Sequence, residues 1–178
     1  MKIFGIDPGS QVAGFACLVT RTSVPLRSSD FALLGAGAIK MNRSLKHVTR
    51  IGELFRQIDL LLDEFKPDIC VIEKAFFGVN VSSAIKLGEA RGALIAAATK
   101  RGIVVGEITP AEVKRLVVGN GRATKEEVAR CLKANLIIPD GNYPFDVTDA
   151  VAIALSYGLS ALQNQITLIP PLTVNPQL

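Results

Sequence analysis

Four acidic residues of this sequence stand at the ends of apolar segments, where their carboxylates could bind a metal ion. Asp7 ends a short apolar segment, and Glu73 ends a second one that is apolar throughout. Asp146 and Asp149 are three residues apart, a spacing that in a helix places both side chains on one face, about 5–6 Å apart. Carboxylates suit Mg²⁺ or Mn²⁺, and two such ions can promote hydrolysis of a phosphodiester without a protein nucleophile.

Each acid alone also has an ordinary structural explanation. Asp7 precedes Pro8 and Gly9, a common turn sequence. Asp146 could be the N-cap of a helix, with Asp149 favoured in its first turn by the helix dipole. The prediction of a metal site therefore depends on all four acids meeting. Like charges at close range repel each other, and a divalent cation relieves that repulsion.

Apolar periodicity and turn residues predict the elements that must bring these acids together. The predicted strands are residues 2–7, 12–22, 30–40, 68–73 and 103–108. The predicted helices are residues 43–65, 81–101 and 146–163, one that begins at the capping box of residues 109–112, and one from 124 to about 134.

This order predicts an α/β fold with a mixed five-stranded sheet flanked by helices. Three strands joined by short turns form an antiparallel meander, and strands reached through helices run parallel to the first. The carboxyl ends of parallel neighbours meet at one edge, so Asp7 and Glu73 should be adjacent there. The helix that carries Asp146 and Asp149 must pack beside that edge. We expect one domain over residues 1–165 and an extended tail over residues 166–178.

Composition and charge exclude some classes of protein. The chain of 178 residues is 49% hydrophobic and 20% charged, which is typical of a globular protein. No apolar stretch approaches the roughly 20 residues of a membrane span, and the first residues do not resemble a signal peptide. Three widely spaced cysteines indicate reduced thiols. We therefore expect a cytoplasmic protein with no membrane association.

The net charge of +4 is unevenly distributed along the chain. All 20 Lys and Arg lie at or before Lys133, whereas residues 134–178 carry three Asp and no basic residue. The excess of basic residues up to Lys133 weakly favours a polyanionic partner such as nucleic acid. An ordinary solvated surface explains the same charge.

Five stretches of the sequence resemble the RuvC family of Holliday junction resolvases, within the RNase H-like superfamily. They are residues 5–10, 72–77, 84–92, 114–119 and 146–150, in the family's order. The resemblance covers residues 1 to about 162 and implies an RNase H-like fold. It implies a homodimer that nicks two strands of a four-way DNA junction symmetrically during recombination and repair. Branch-migration proteins of the RuvA and RuvB type are the partners that it implies.

The resemblance also implies roles for individual residues. Asp7, Glu73, Asp146 and Asp149 correspond to the catalytic, metal-binding acids, and the resemblance implies two Mg²⁺ ions per site, with Mn²⁺ as the alternative. Some members carry His at the third acid, so Asp146 implies an all-carboxylate site.

Three further residues match DNA-binding positions of the family. Phe76 matches an aromatic residue that stacks on bases at the opened junction, although Phe76 and Phe77 could instead belong to the core. Lys114 and Lys125 match basic residues near the scissile strand, although both could be ordinary surface lysines.

Gly88 and Gly92 lie four residues apart in a predicted helix, where each glycine costs about 1 kcal/mol relative to alanine. Close approach of another backbone would explain them, either within the chain or, as the resemblance implies, at the dimer interface. His47, the only histidine, falls on a polar helix face and is expected at the surface.

Two other functions stay open from the sequence. One is a related nuclease of the same fold that acts on RNA or on other branched DNA, and the other is a protein that binds junctions without cutting them. Four intact acids argue against the second, because a phosphate-binding protein gains nothing from carboxylates. The tail lacks the basic residues that some family members carry, which argues against a role of the tail in DNA binding.

Overall fold

In a computed structural model of the chain, the sheet contains the five predicted strands and a sixth. The structure describes residues 1–21, 27–74, 80–135, 137–139, 141–160 and 167–169. The strands are β1 (Lys2–Asp7), β2 (Val12–Thr20), β3 (Phe31–Lys40), β4 (Ile69–Glu73), β5 (Val104–Ile108) and β6 (Thr167–Ile169). Their order in the sheet is β3-β2-β1-β4-β5-β6.

Strand β1 lies at the centre of the sheet and fixes the edge where the acids were expected. It pairs antiparallel with β2 and parallel with β4, with Ile6 opposite Ile72. Asp7 and Glu73 are the next residues of the two strands, so both stand at the carboxyl edge. The predicted meander, the parallel pairing and the mixed sheet with flanking helices are thereby confirmed.

The five helices cover both faces of the sheet. They are α1 (His47–Phe65), α2 (Val81–Thr99), α3 (Pro110–Val118), α4 (Lys125–Ala134) and α5 (Phe145–Ser160). Side chains alternate across β1, so that Ile3 joins the core under α3, α4 and α5, whereas Phe4 joins the core under α1 and α2. In the described part of the chain, no helix combines the length and apolar character needed to cross a bilayer.

The largest differences from the prediction lie at the start of α1 and in the tail. Helix α1 begins at His47 rather than at residue 43, because Asn42 forms a turn in which its side-chain oxygen accepts from the Ser44 amide at 3.0 Å. Strand β6, which pairs antiparallel with β5, lies inside the segment assigned to an extended tail. Three residues are too few for a periodic pattern to reveal a strand.

Helix α5 packs directly against the centre of the sheet. Eleven of its sixteen residues are buried, and it contacts β1 and β2 on one side and α3 and α4 on the other. Gly14 lies opposite Asp7 in the β1–β2 pairing, and a β-carbon at Gly14 would overlap the backbone carbonyl of Asp146. The glycine therefore allows the first turn of α5 to approach the end of β1.

This close approach predicts a large cost for a small substitution. Gly14→Ala should force α5 away from β2 and lower the free energy of unfolding by about 1–3 kcal/mol or more, because a packed interface yields little to an added methyl group. Urea denaturation measures the change. Gly52→Ala on the exposed side of α1, where the new methyl meets none of the described atoms, is the matched control and should be neutral or stabilising. Equal stability of the two variants would contradict the close packing.

Candidate active site

Three of the four predicted acids line one cavity at the carboxyl edge of the sheet. Asp7 reaches it from β1, Glu73 from β4 and Asp149 from the first turns of α5. The cavity has a volume of about 150 Å³, and Lys114 and Lys125 also line it. The convergence expected of residues distant in sequence is thus observed for these three acids and both lysines.

Asp146 lies beside the cavity, close enough for its charge to act on Asp7. The alternative explanation of Asp146 as an N-cap does not hold. The carbonyl of Pro144 accepts from the amides of Val147 at 3.1 Å and Thr148 at 3.2 Å, so Pro144 occupies the capping position. Asp146 stands within the first turn of α5, half-buried.

The pKa values of the acids show the electrostatic cost of this arrangement. Burial raises the pKa of Asp7 to about 7, with further increases from the charges of Glu73 and Asp149 and, least, from that of Asp146, while Lys125 lowers it. Burial and then Asp149 also raise the pKa of Glu73. A carboxyl whose pKa is raised on folding destabilises the native state once it ionises. For Asp7 the penalty grows from pH 4 and is complete above about pH 7.

Lys125 supplies a positive charge inside this cluster. Nζ of Lys125 donates to Oδ2 of Asp149. Lys125 is the first residue of α4, directly after the Thr124 cap. A cation at a helix N-terminus opposes the dipole, and the ion pair with Asp149 compensates for that opposition. Lys125 thereby offsets part of the repulsion among the acids.

The donor set suits a hard divalent cation. The acids lining the cavity offer only oxygen atoms, the ligands that Mg²⁺ and Mn²⁺ prefer. As these side chains stand, however, no three His, Cys, Asp or Glu residues in the described ranges form a ready ligand group. A bound cation would require Asp149 to exchange Lys125 for the ion.

One residue near the site was missed by the sequence analysis. Arg91 of α2 donates from Nε to the backbone carbonyl of Glu73 at 3.3 Å and forms an ion pair with Glu107 of β5. It holds the end of β4 against α2. The available signal was an arginine in the otherwise small, apolar second half of a helix.

The remaining predicted residues have different outcomes. Phe76 and Phe77 lie outside the described residues. His47 lies at the surface as expected, partly exposed, and its Nε2 contacts Glu89 of α2. Intrachain packing does not explain Gly88 or Gly92, because a β-carbon at either position would meet no described atom within 4 Å.

Comparisons with known proteins point to one family. The model of the crossover junction endodeoxyribonuclease RuvC family matches residues 3–157. The RuvC of Chlorobium phaeovibrioides is 42% identical over 155 residues, which cover 87% of this chain and 79% of the relative. The RuvC of Ruminiclostridium cellulolyticum is 38% identical over 90% of this chain and 93% of its own.

A solved structure supports the same relationship. Thermus thermophilus RuvC in complex with a Holliday junction substrate has a TM-score of 0.85 and 28% sequence identity. The match covers 95% of this chain and 99% of that one. Sequence and fold agree along almost the whole of both molecules, and the chain belongs to the RuvC family of crossover junction endodeoxyribonucleases.

Proposed function

We propose that Asp7, Glu73, Asp146 and Asp149 are the catalytic, metal-binding residues with which this crossover junction endodeoxyribonuclease hydrolyses the strands of a Holliday junction. The activity and its dependence on a divalent metal follow from the family. The observation that supports the residue assignment is the cavity itself. Three acids from β1, β4 and α5 line one cavity, with the fourth acid beside it.

Each side chain has a defined task in this proposal. Mg²⁺ ions bound there, two per site, would activate the attacking water and stabilise the leaving oxygen. Asp7, Glu73 and Asp149 would hold the ions from the lining of the cavity, and Asp146 would complete the ligand set from beside it. Lys114 and Lys125 would contact the phosphates of the scissile strand, since both line the same cavity as the acids.

Cleavage assays with matched substrates test this function. The protein is incubated with a synthetic four-way junction and with a linear duplex of the same arms, in Mg²⁺ or in Ca²⁺. We expect symmetric nicks in the junction alone, and in Mg²⁺ alone. Cleavage of the duplex at an equal rate, or of RNA in preference to the junction, would contradict the proposed substrate.

Metal binding should be measurable without DNA. Mg²⁺ at ten times its dissociation constant should stabilise the fold by about 1.4 kcal/mol through mass action, which raises the Tm of a domain of this size by about 3–6 °C. A thermal melt at constant ionic strength measures the shift. Glu73→Gln is the control and should reduce it, because one of the carboxylates lining the cavity is lost. A flat response of the unaltered protein would contradict binding at this site.

The active unit in this proposal is a homodimer formed through α2. Val81 is 71% exposed and Ile85 57% exposed. With Gly88 and Gly92 they form a stripe at helical spacing, where no described atom approaches the glycines. Exposed apolar side chains beside two glycines suit the close approach of a second helix, and two copies would aim two sites at two strands.

A bulky substitution on this stripe should separate the protomers. Gly92→Leu has open space in the single chain, so folding should be unaffected, whereas the dimer dissociation constant should rise at least about tenfold, equivalent to 1.4 kcal/mol. Sedimentation equilibrium measures the association. Gly52→Leu on α1, also without described neighbours, is the matched control. Unchanged association of the Gly92 variant would place the interface elsewhere.

Three finer expectations complete the proposal. Phe76 would stack on a base at the opened junction, where such contacts contribute roughly 1–3 kcal/mol per base. Branch-migration proteins of the RuvA and RuvB type would deliver the junction. The protein would act in the cytoplasm, where Cys17, Cys70 and Cys131, free in this structure, stay reduced.

A further inference from the structure

A second groove lies next to the catalytic cavity, on the neighbouring faces of α4 and α5. It has a volume of about 510 Å³. Arg130 and Lys133 line it from α4, and Tyr143 and Phe145 line it from the segment that enters α5. None of these four residues has a role in the proposed site.

Phe145 connects the groove to the acids. It is 44% exposed, unusual for a phenylalanine, and it directly precedes Asp146. Nζ of Lys125 lies 5.8 Å from the centre of the Phe145 ring and also contacts Asp149. One lysine therefore separates the exposed ring from the catalytic cavity.

The charge of the groove complements a nucleic acid strand. Arg130 and Lys133 provide two cations against one carboxylate, that of Glu126, among the lining residues that the structure describes. Aromatic faces beside basic side chains are the combination that binds single strands, with stacking on the rings and ion pairs to the phosphates. A DNA strand that has its scissile phosphate in the catalytic cavity must continue past the cavity in both directions, and this groove adjoins the cavity beside Lys125.

We propose that this groove binds the DNA strand next to the scissile phosphate, with Phe145 packing against a base or sugar and with Arg130 and Lys133 contacting backbone phosphates. The inference rests on the proposed function, since it requires the scissile strand to lie in the catalytic cavity. It adds a positioning surface that lies outside the metal site and outside the segment that contains Phe76.

Binding of a four-way junction, measured in Ca²⁺ over a range of salt concentrations, tests the basic pair. The double variant Arg130→Gln, Lys133→Gln should bind more weakly. The slope of log Kd against log salt should fall by up to about 2 per protomer, because each lost phosphate contact removes about 0.9. Arg56→Gln, Lys66→Gln removes two charges from α1 and its end, on the opposite face of the sheet, and should leave the slope unchanged.

Phe145→Ala tests the aromatic contact and should weaken junction binding about fivefold or more, as loss of one stacked base does. Phe145→Tyr should restore the affinity, because it keeps the ring. If the Phe145 ring had only a structural role, Phe145→Ala would instead lower the Tm of the protein. Leu34→Ala, which truncates an exposed side chain on β3, is the control for lost apolar area.

A scan with single neutral methylphosphonates locates the contact on the DNA. The natural protein should lose affinity at phosphates adjoining the scissile one, and the Arg130/Lys133 variant should be insensitive at those positions. Groove variants that bind the junction as tightly as the natural protein, with an unchanged slope, would overturn this inference. A groove that serves a protein partner instead of DNA would give that result. A natural protein that does not nick the junction in Mg²⁺ would instead overturn the proposed function.

Discussion

Asp7→Asn should reduce junction cleavage by at least about three orders of magnitude, the scale on which removal of an essential charged group acts in a hydrolase. Asp7 is central to the cluster, since its pKa responds to all three other acids. An amide keeps the size of the side chain but loses the charge that a divalent cation requires. Single-turnover cleavage in Mg²⁺, with protein in excess over junction, isolates the chemical step from binding and release.

Two accompanying measurements distinguish loss of chemistry from loss of structure. The variant should bind the junction as tightly as the natural protein, because basic side chains supply the affinity. It should also melt at a higher temperature in metal-free buffer at pH 8, where the natural protein carries an ionised Asp7 whose pKa is raised to about 7. Cleavage retained within tenfold would remove Asp7 from the mechanism.

Junction binding should weaken steeply as salt rises. Each protomer brings at least four cations to this surface, namely Lys114, Lys125, Arg130 and Lys133. With a contribution of about 0.9 each, they give a slope of log Kd against log salt of about 3.6 per protomer. A rise from about 50 to 200 mM salt then lowers affinity by about two orders of magnitude for each protomer engaged. Equilibrium binding in Ca²⁺ at several salt concentrations measures the slope.

Asp7→Asn serves as the internal control in this experiment, since it leaves the basic residues in place and should give the same slope as the natural protein. A slope near zero would mean that phosphate contacts do not supply the affinity. In that case base stacking and shape would have to account for binding, and the roles assigned to the lysines would be wrong.

Local sequence patterns predicted much of the fold because the burial and the direction of a strand both leave a mark in the sequence. The apolar run that ends at Glu73 is buried on both faces, as a central parallel strand must be. Helices between successive apolar strands require parallel pairing, and parallel pairing places Asp7 beside Glu73. The adjacency of two acids 66 residues apart thus followed from strand direction alone.

Other features depend on contacts that a local pattern does not contain. Strand β6 exists because the edge of β5 offers unpaired backbone groups to three residues of the chain. The role of Arg91 depends on where α2 meets the end of β4. The exposure of Phe145 depends on the angle at which the chain enters α5, where Pro144 takes the capping position. Family resemblance identified Lys114 and Lys125, which composition alone would have assigned to an ordinary surface.

The burial of α5 has a consequence for how the protein loses activity. Amide hydrogens of the helix between Ala150 and Ser156 should exchange with solvent only when the whole molecule opens, because the sheet covers one side and α3 and α4 the other. Two of the four acids are attached to this slowest-exchanging segment. Heating should therefore abolish cleavage and unfold the chain in one transition, with no inactive intermediate that retains the sheet.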